Sequence, residues 1–164
     1  MRAAALALIA LALPAAAQEA GWHYSPLPGE GDRAAMGCGH GADAETFTCL
    51  VVRCEDDYAV GLHIHTSRPG GDAGRWVIDT DKDSFPVDAV ASTAPYGARV
   101  DGDIDALLDG LRQGAVAYVE PRDGEAVARN QISLAGSLYA INQALYFCAP
   151  RVVPEAEAEA DEAR

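Results

Sequence analysis

The sequence predicts a mainly β, α+β fold: a single-domain, antiparallel β-sandwich-like arrangement with two packed helices, stapled by disulfides. Three observations lead there. Apolar residues alternate at period 2 from Phe47 to Thr66, two stripes at helical spacing lie late in the chain, and four cysteines follow a leader-like N terminus.

The chain opens with Met1-Arg2, an apolar run from Ala3 to Leu13, then Pro14 and the small residues Ala15-Ala16-Ala17. One basic residue, a short apolar core and an A-x-A site make the tripartite pattern of a signal peptide over residues 1–17, whereas a spanning helix needs about 20 apolar residues. Nothing after this leader is expected to cross a membrane. Cleavage after Ala17 leaves 147 of the 164 residues, which suits one domain. We expect a β-rich domain over 18–153. A disordered acidic tail is expected over 154–164, where Glu155 lies over Glu159 and Glu157 over Asp161. Loss of Arg2 moves the formal net charge from −13 to −14, and without clustered cations nucleic acid is excluded as a partner.

From Gly21 to Gly41 the chain is rich in Gly and Pro; Trp22 and Tyr24 share one face of a short strand before Pro26 and Pro28, and the remainder is expected to be loop. Phe47–Thr66 is a β-hairpin. Its core face carries Leu50, Val52 and Cys54, then Tyr58, Val60, Leu62 and Ile64, with Glu55-Asp56-Asp57 as the turn. The opposite face, with Cys49, Val51, Arg53, Ala59, Gly61, His63 and His65, is far less suited to burial. Arg68-Pro69-Gly70-Gly71 is a turn, Arg75 to Thr80 a strand alternating Trp76 and Ile78 against Val77 and Asp79, and Phe85 to Val90 a further strand. Asp103 to Gln113 is a helix, with the stripe Ile104, Leu107, Leu108, Leu111, acids in the first turn, Arg112 in the last and Gly114 beyond. Strands at Ala115–Glu120 and Ala128–Ile132 are joined through Pro121-Arg122-Asp123-Gly124. A closing helix near Ser137 to Phe147 places Leu134, Leu138, Ile141, Leu145 and Cys148 on one stripe, with Ser137 as its N-cap and Gly136 easing the corner before it.

Four cysteines in an exported chain imply two disulfides and an oxidising compartment, so the periplasm or secretion is expected. Parity chooses the pairing. Cys54 shares the core face with Leu50 and Val52, Cys49 faces the other way, and Cys148 ends the core stripe of the last helix. The expected bonds are Cys54 to Cys148 and Cys38 to Cys49. A structural zinc site would need paired C-x-x-C spacing, which is missing.

His63 and His65 lie two apart on a strand and point the same way, as metal-binding pairs do, but His40 and His23 offer no spacing for a third ligand. A polar, solvent-facing strand surface is the expected reading. Asp79-Thr80-Asp81-Lys82-Asp83 opens like a calcium loop, then has Ser84 where glycine is needed and Val90 where a bidentate Glu is needed; it is expected to be a charged strand end. Gly136-Ser137 lacks the G-x-S-x-G frame of a serine nucleophile, and acids are too abundant for any one pair to stand out. No catalytic residue, cofactor-binding residue or cofactor is assigned.

Trp22, the strand run Leu50 to Cys54, and Ile132-Ser133-Leu134-Ala135-Gly136-Ser137 leading through Ala144 to Cys148 resemble the invasion-associated locus B family of alphaproteobacterial periplasmic and secreted proteins, or a sister family. The likeness covers most of the chain loosely and departs from that family in the extra pair Cys38 and Cys49 and in the acidic tail. It implies a β-sandwich without an assigned catalytic site. The expected function is therefore that of a non-enzymatic exported interaction protein with a protein or envelope partner. The competing reading is a small metal-binding protein or hydrolase using His63 and His65 with an acid such as Asp79.

Overall fold

The alternation in Thr48–Cys54 and Val60–Thr66 produces the longest hairpin, and the rest of the sheet grows from its two sides. A computed structural model describes residues 21–24 and 33–148. The expected signal peptide, Pro26, Pro28 and the acidic tail lie outside the described residues. In chain order the strands are β1 (Trp22–Tyr24), β2 (Ala35–Cys38), β3 (Thr48–Cys54), β4 (Val60–Thr66), β5 (Gly74–Thr80), β6 (Ser84–Ala91), β7 (Ala98–Asp101), β8 (Val116–Pro121) and β9 (Gln131–Ser133). Helix α1 (Asp105–Gln113) precedes β8; α2 (Ser137–Ala144) follows β9 and runs into a 3-10 turn, Leu145–Cys148.

Among the described residues, the nine strands form one antiparallel sheet in the order β1-β2-β3-β4-β7-β6-β5-β8-β9. At its middle, β4 meets β7 through only two residue pairs, His63 with Arg99 and Ile64 with Ala98. At its ends, Gly39 bridges Ile132, the His40 amide donates to the Gln131 carbonyl at 2.9 Å, and the Trp22 amide donates to the Ala135 carbonyl at 2.9 Å. The sheet thus curls until its ends touch, and its halves share one core as the layers of a sandwich do. Leu50, Val52, Leu62 and Ile64 from one half pack with Trp76, Ile78, Ala117, Val119 and Ile132 from the other.

Both helices close onto this core. The stripe Ile104, Leu107, Leu108, Leu111 is buried as expected, and Gly110 lies so close to Phe85 that a Cβ there would come within 3.1 Å of the ring. On α2 the buried set is Ser137, Ala140, Ile141 and Ala144, so the stripe is rotated from the expected one and Leu138 points outward, 53 % exposed. Ser137 is not the cap. Gly136 holds that position at φ 81°, where glycine is favoured, and the Ser137 hydroxyl donates instead to the Leu111 carbonyl at 2.7 Å, joining the helices.

The outer face of the hairpin departs most from expectation. Residues 92–97, between β6 and β7, fold back over it, and Tyr96, Val51 and Ala34 make a second buried layer with Met36 and Ala94 packed alongside. His63 and Val51 are fully buried and Cys49 nearly so. Tyr58, expected in the core, instead sits in the turn at φ 63° and is exposed. Two strands lie where no strand was expected, β2 in the glycine-rich stretch and β7 after the β6 loop, and β9 begins at Gln131 rather than Ala128.

Cys38 and Cys49 are bonded and face each other in the β2–β3 register; Cys54 and Cys148 are bonded across 94 residues of sequence. Among the described residues, no helix is long and apolar enough to cross a membrane.

Candidate functional site

Three regions collect the polar and apolar groups with chemical potential. The first is built on the outer face of the hairpin. Glu55 begins the β3–β4 turn, Arg53 lies one residue before the end of β3, His63 lies in β4 and Arg99 in β7, and alternation turns all of them to the same side. The Glu55 carboxylate accepts from His63 Nε2 at 2.7 Å and pairs with Arg53 Nη1 at 3.0 Å and Arg99 Nε at 3.7 Å. Because a carboxylate only accepts, the Nε2 proton is on His63, and Nδ1 is left without a hydrogen-bond partner. Burial pushes the imidazole below the ordinary histidine range, with the hydrogen bond to Glu55 working against that shift and the charges of Arg53 and Arg99 adding to it.

A cleft of about 870 Å³ lies over this cluster, lined by Arg53, Glu55, Asp56, Ser92, Thr93 and Arg99. His63 has no exposed surface and cannot touch a molecule in the cleft. Glu55 is already engaged by three cationic or donor groups. Through these contacts the cluster ties the β3–β4 turn and β7 to β4.

His65, the other expected metal candidate, projects to the same side as His63. Its ring packs on Phe47 with centroids 4.8 Å apart, and its Nδ1 lies 3.9 Å from Asp72 Oδ2. Desolvation lowers its pKa, opposed by the Asp72 charge. Asp72 is itself buried and accepts from the Thr66 hydroxyl and, at 3.2 Å, from the Thr66 amide, while its carbonyl accepts from Trp76 Nε1 at 2.8 Å. Asp79 stands on β5, separated from β4 by β7 and β6, and is not brought to the histidines. Among the described residues no group of three or more His, Cys, Asp or Glu is placed to hold a metal ion. The Asp79–Asp83 stretch is the end of β5 and the turn into β6: the Thr80 amide donates to the Asp83 carbonyl at 2.8 Å, and Asp81 Oδ1 accepts from the Ala115 amide at 2.7 Å. His40 lies on the surface at the β2–β9 seam.

The third region was not foreseen. Because the buried stripe of α2 is rotated, its outer face carries Leu138 (53 % exposed) and Tyr139 (69 %), and Tyr146 (73 %) follows from the 3-10 turn. With Tyr24 of β1, Arg33, Asn142 and Gln143 they line a groove of about 690 Å³. Gln143 Nε2 donates to the Tyr139 hydroxyl at 2.9 Å, which fixes that ring across one helical turn. The signal available in the sequence was that Tyr139 and Tyr146 fall outside either version of the core stripe while being large and apolar. Glu55 and Tyr96 were hidden for another reason: nothing local to a turn acid or a loop tyrosine says that it will lie over a strand 8 or 33 positions from it, at His63.

Comparison with models of known families, with characterised proteins and with solved structures finds no match to this chain.

Proposed function

We propose that this protein is a non-enzymatic, exported interaction protein that presents the tyrosine-rich outer face of α2 to a partner in the envelope or outside the cell. The observation that carries this reading is the clustering of Leu138, Tyr139 and Tyr146 around one groove of an acidic molecule, whereas the exposed Tyr58, Val90 and Tyr118 lie on separate elements. A contiguous exposed apolar patch is uncommon on a monomer and tyrosines are over-represented where proteins bind, because each ring buries much area at small entropic cost. Two disulfides and the leader pattern of residues 1–17 support export. The resemblance to the invasion-associated locus B family fits the same role.

The test places a photoactivatable phenylalanine analogue at position 139, at 146, or at 118, where Tyr118 is exposed on β8 away from α2. Illumination of intact cells making the protein should give discrete adducts from 139 and 146 and none from 118. Equal labelling at all three positions, or none, would overturn the assignment of this face.

A further inference from the structure

We infer that the groove beside α2 takes a short, extended, proline-containing peptide segment that carries a carboxylate; this inference rests on the interaction reading above and names the partner's chemistry. Area decides first between a peptide and a second copy of the chain. Leu138, Tyr139 and Tyr146, at 53, 69 and 73 % exposure, offer on the order of 400 Å² together. A stable dimer buries about 800 Å² on each side, so this patch falls short of a self-association surface and is the size a few residues of chain would cover. The groove's volume of about 690 Å³ agrees with that occupant.

Charge decides next. The chain carries 25 acidic against 12 basic residues, yet among the described residues lining the groove the one charged group is Arg33. A partner with an acid at that end gains an ion pair with Arg33, while the net negative charge of the rest of the molecule, which favours a basic partner, is screened beyond about 8 Å at physiological ionic strength. The rest of the lining sets the conformation. Tyr24, Tyr139 and Tyr146 supply flat rings on which proline rings stack, and the Asn142 and Gln143 side-chain amides lie beside them. A polyproline II segment makes no internal hydrogen bonds, so its carbonyls are available to such amides, and little ordering entropy is lost when it docks. A helical ligand, by contrast, has its backbone groups already engaged and would leave the amides unmatched.

The experiment uses the full chain and three labelled synthetic dodecapeptides: one with repeated Pro-Pro-Leu-Pro-Glu, one with each Glu replaced by Lys, and one with each Pro replaced by Ala. Fluorescence anisotropy should show saturable binding of the first in the range of roughly 10–100 μM, about tenfold weaker binding of the second and third, and no change with Tyr118→Ser. Tyr139→Ser and Tyr146→Ser should each weaken binding about tenfold, and Arg33→Glu should reverse the preference between the Glu and Lys peptides. These positions are on the surface, and unchanged thermal midpoints check that each variant is folded. Binding that ignores proline or charge, or no saturation below 1 mM, overturns the inference. So does a concentration-dependent dimer abolished by Tyr139→Ser, which would make a second copy the occupant. Adducts at 139 without peptide binding would overturn this inference alone and leave the interaction reading standing; loss of both would remove both.

Discussion

Replacing Cys54 and Cys148 by alanine should destabilise the protein more than replacing Cys38 and Cys49, and the two effects should add. In the chain-entropy description a bond restricts the unfolded ensemble according to the length of loop it closes. The separations are 94 and 11 residues, which correspond to about 4.7 and 2.8 kcal/mol at 25 °C. The loops are consecutive rather than nested, since Cys49 precedes Cys54, so neither bond shortens the loop closed by the other. For a domain of roughly 130 residues these terms lower the melting temperature by roughly 17 °C and 10 °C. Trp22 and Trp76 are buried, so their fluorescence reports unfolding in a urea or thermal series on both double variants and on the cysteine-free chain. With a combined loss of about 7.5 kcal/mol against a typical stability of 5–15 kcal/mol, the cysteine-free chain should be marginal or unfolded. A larger loss from the Cys38, Cys49 pair, or strong non-additivity, would refute loop entropy as the source.

Glu55→Ala should cost about 3 kcal/mol in urea, because Arg53 and the buried His63 then lose their shared acceptor, whereas Asp123→Ala, at an exposed pair with Arg75, should cost less than about 1 kcal/mol. Stability should fall on acidification below about pH 6.5. The unfolded chain takes up protons on His63 and His65 near that pH while the folded chain resists them, so the stabilising difference is full above it and is lost as pH drops toward the lowered folded values; a His63→Gln, His65→Gln variant should flatten the slope between pH 7.5 and 5.5. Gly39→Ala should cost about 2–3 kcal/mol and expose the His40 amide to hydrogen exchange, because a Cβ at position 39 would overlap the Arg129 carbonyl beside the Gly39–Ile132 bridge.

What the sequence made legible was whatever local periodicity controls. Leu50, Val52, Leu62 and Ile64, Trp76 with Ile78, and the α1 stripe declare themselves because their burial follows from alternation or from helical spacing alone. The cysteine pairing also came out as expected: strand parity set Cys54 apart from Cys49, and Cys148 was placed on the core side by a helical stripe whose register the structure shifts. β2 was hidden because Ala35-Met36-Gly37-Cys38 carries little apolar bulk; Gly37 is needed there since a Cβ would strike the Trp22 indole. The outer face of the hairpin was misjudged through a distant event, the return of residues 92–97 to bury His63 under Tyr96. The rotation of α2 has a similar origin. Ala140 and Ala144, which are small, admit the close approach to β1–β3 that turns Leu138 outward, and spacing alone does not weigh small residues against large ones.

The two seams of the sheet also impose an order on its completion. Residues 22–66 supply β1 to β4 and residues 74–148 supply everything else, and in the sheet the parts join through two residue pairs at one seam and, at the other, through the Gly39–Ile132 bridge with the backbone bonds from His40 to Gln131 and from Trp22 to Ala135. A chain delivered N terminus first presents Cys38, Cys49 and Cys54 while the following 94 residues up to Cys148 are still arriving. Cys38 and Cys49 are templated at once, since neighbouring strands set them face to face. Cys54 has no such neighbour and must remain reduced until the second half has wrapped around and α2 has brought Cys148 to it. Its oxidation is therefore a latch that shuts only on a finished ring, and a premature bond from Cys54 to either earlier cysteine would leave Cys148 without its partner.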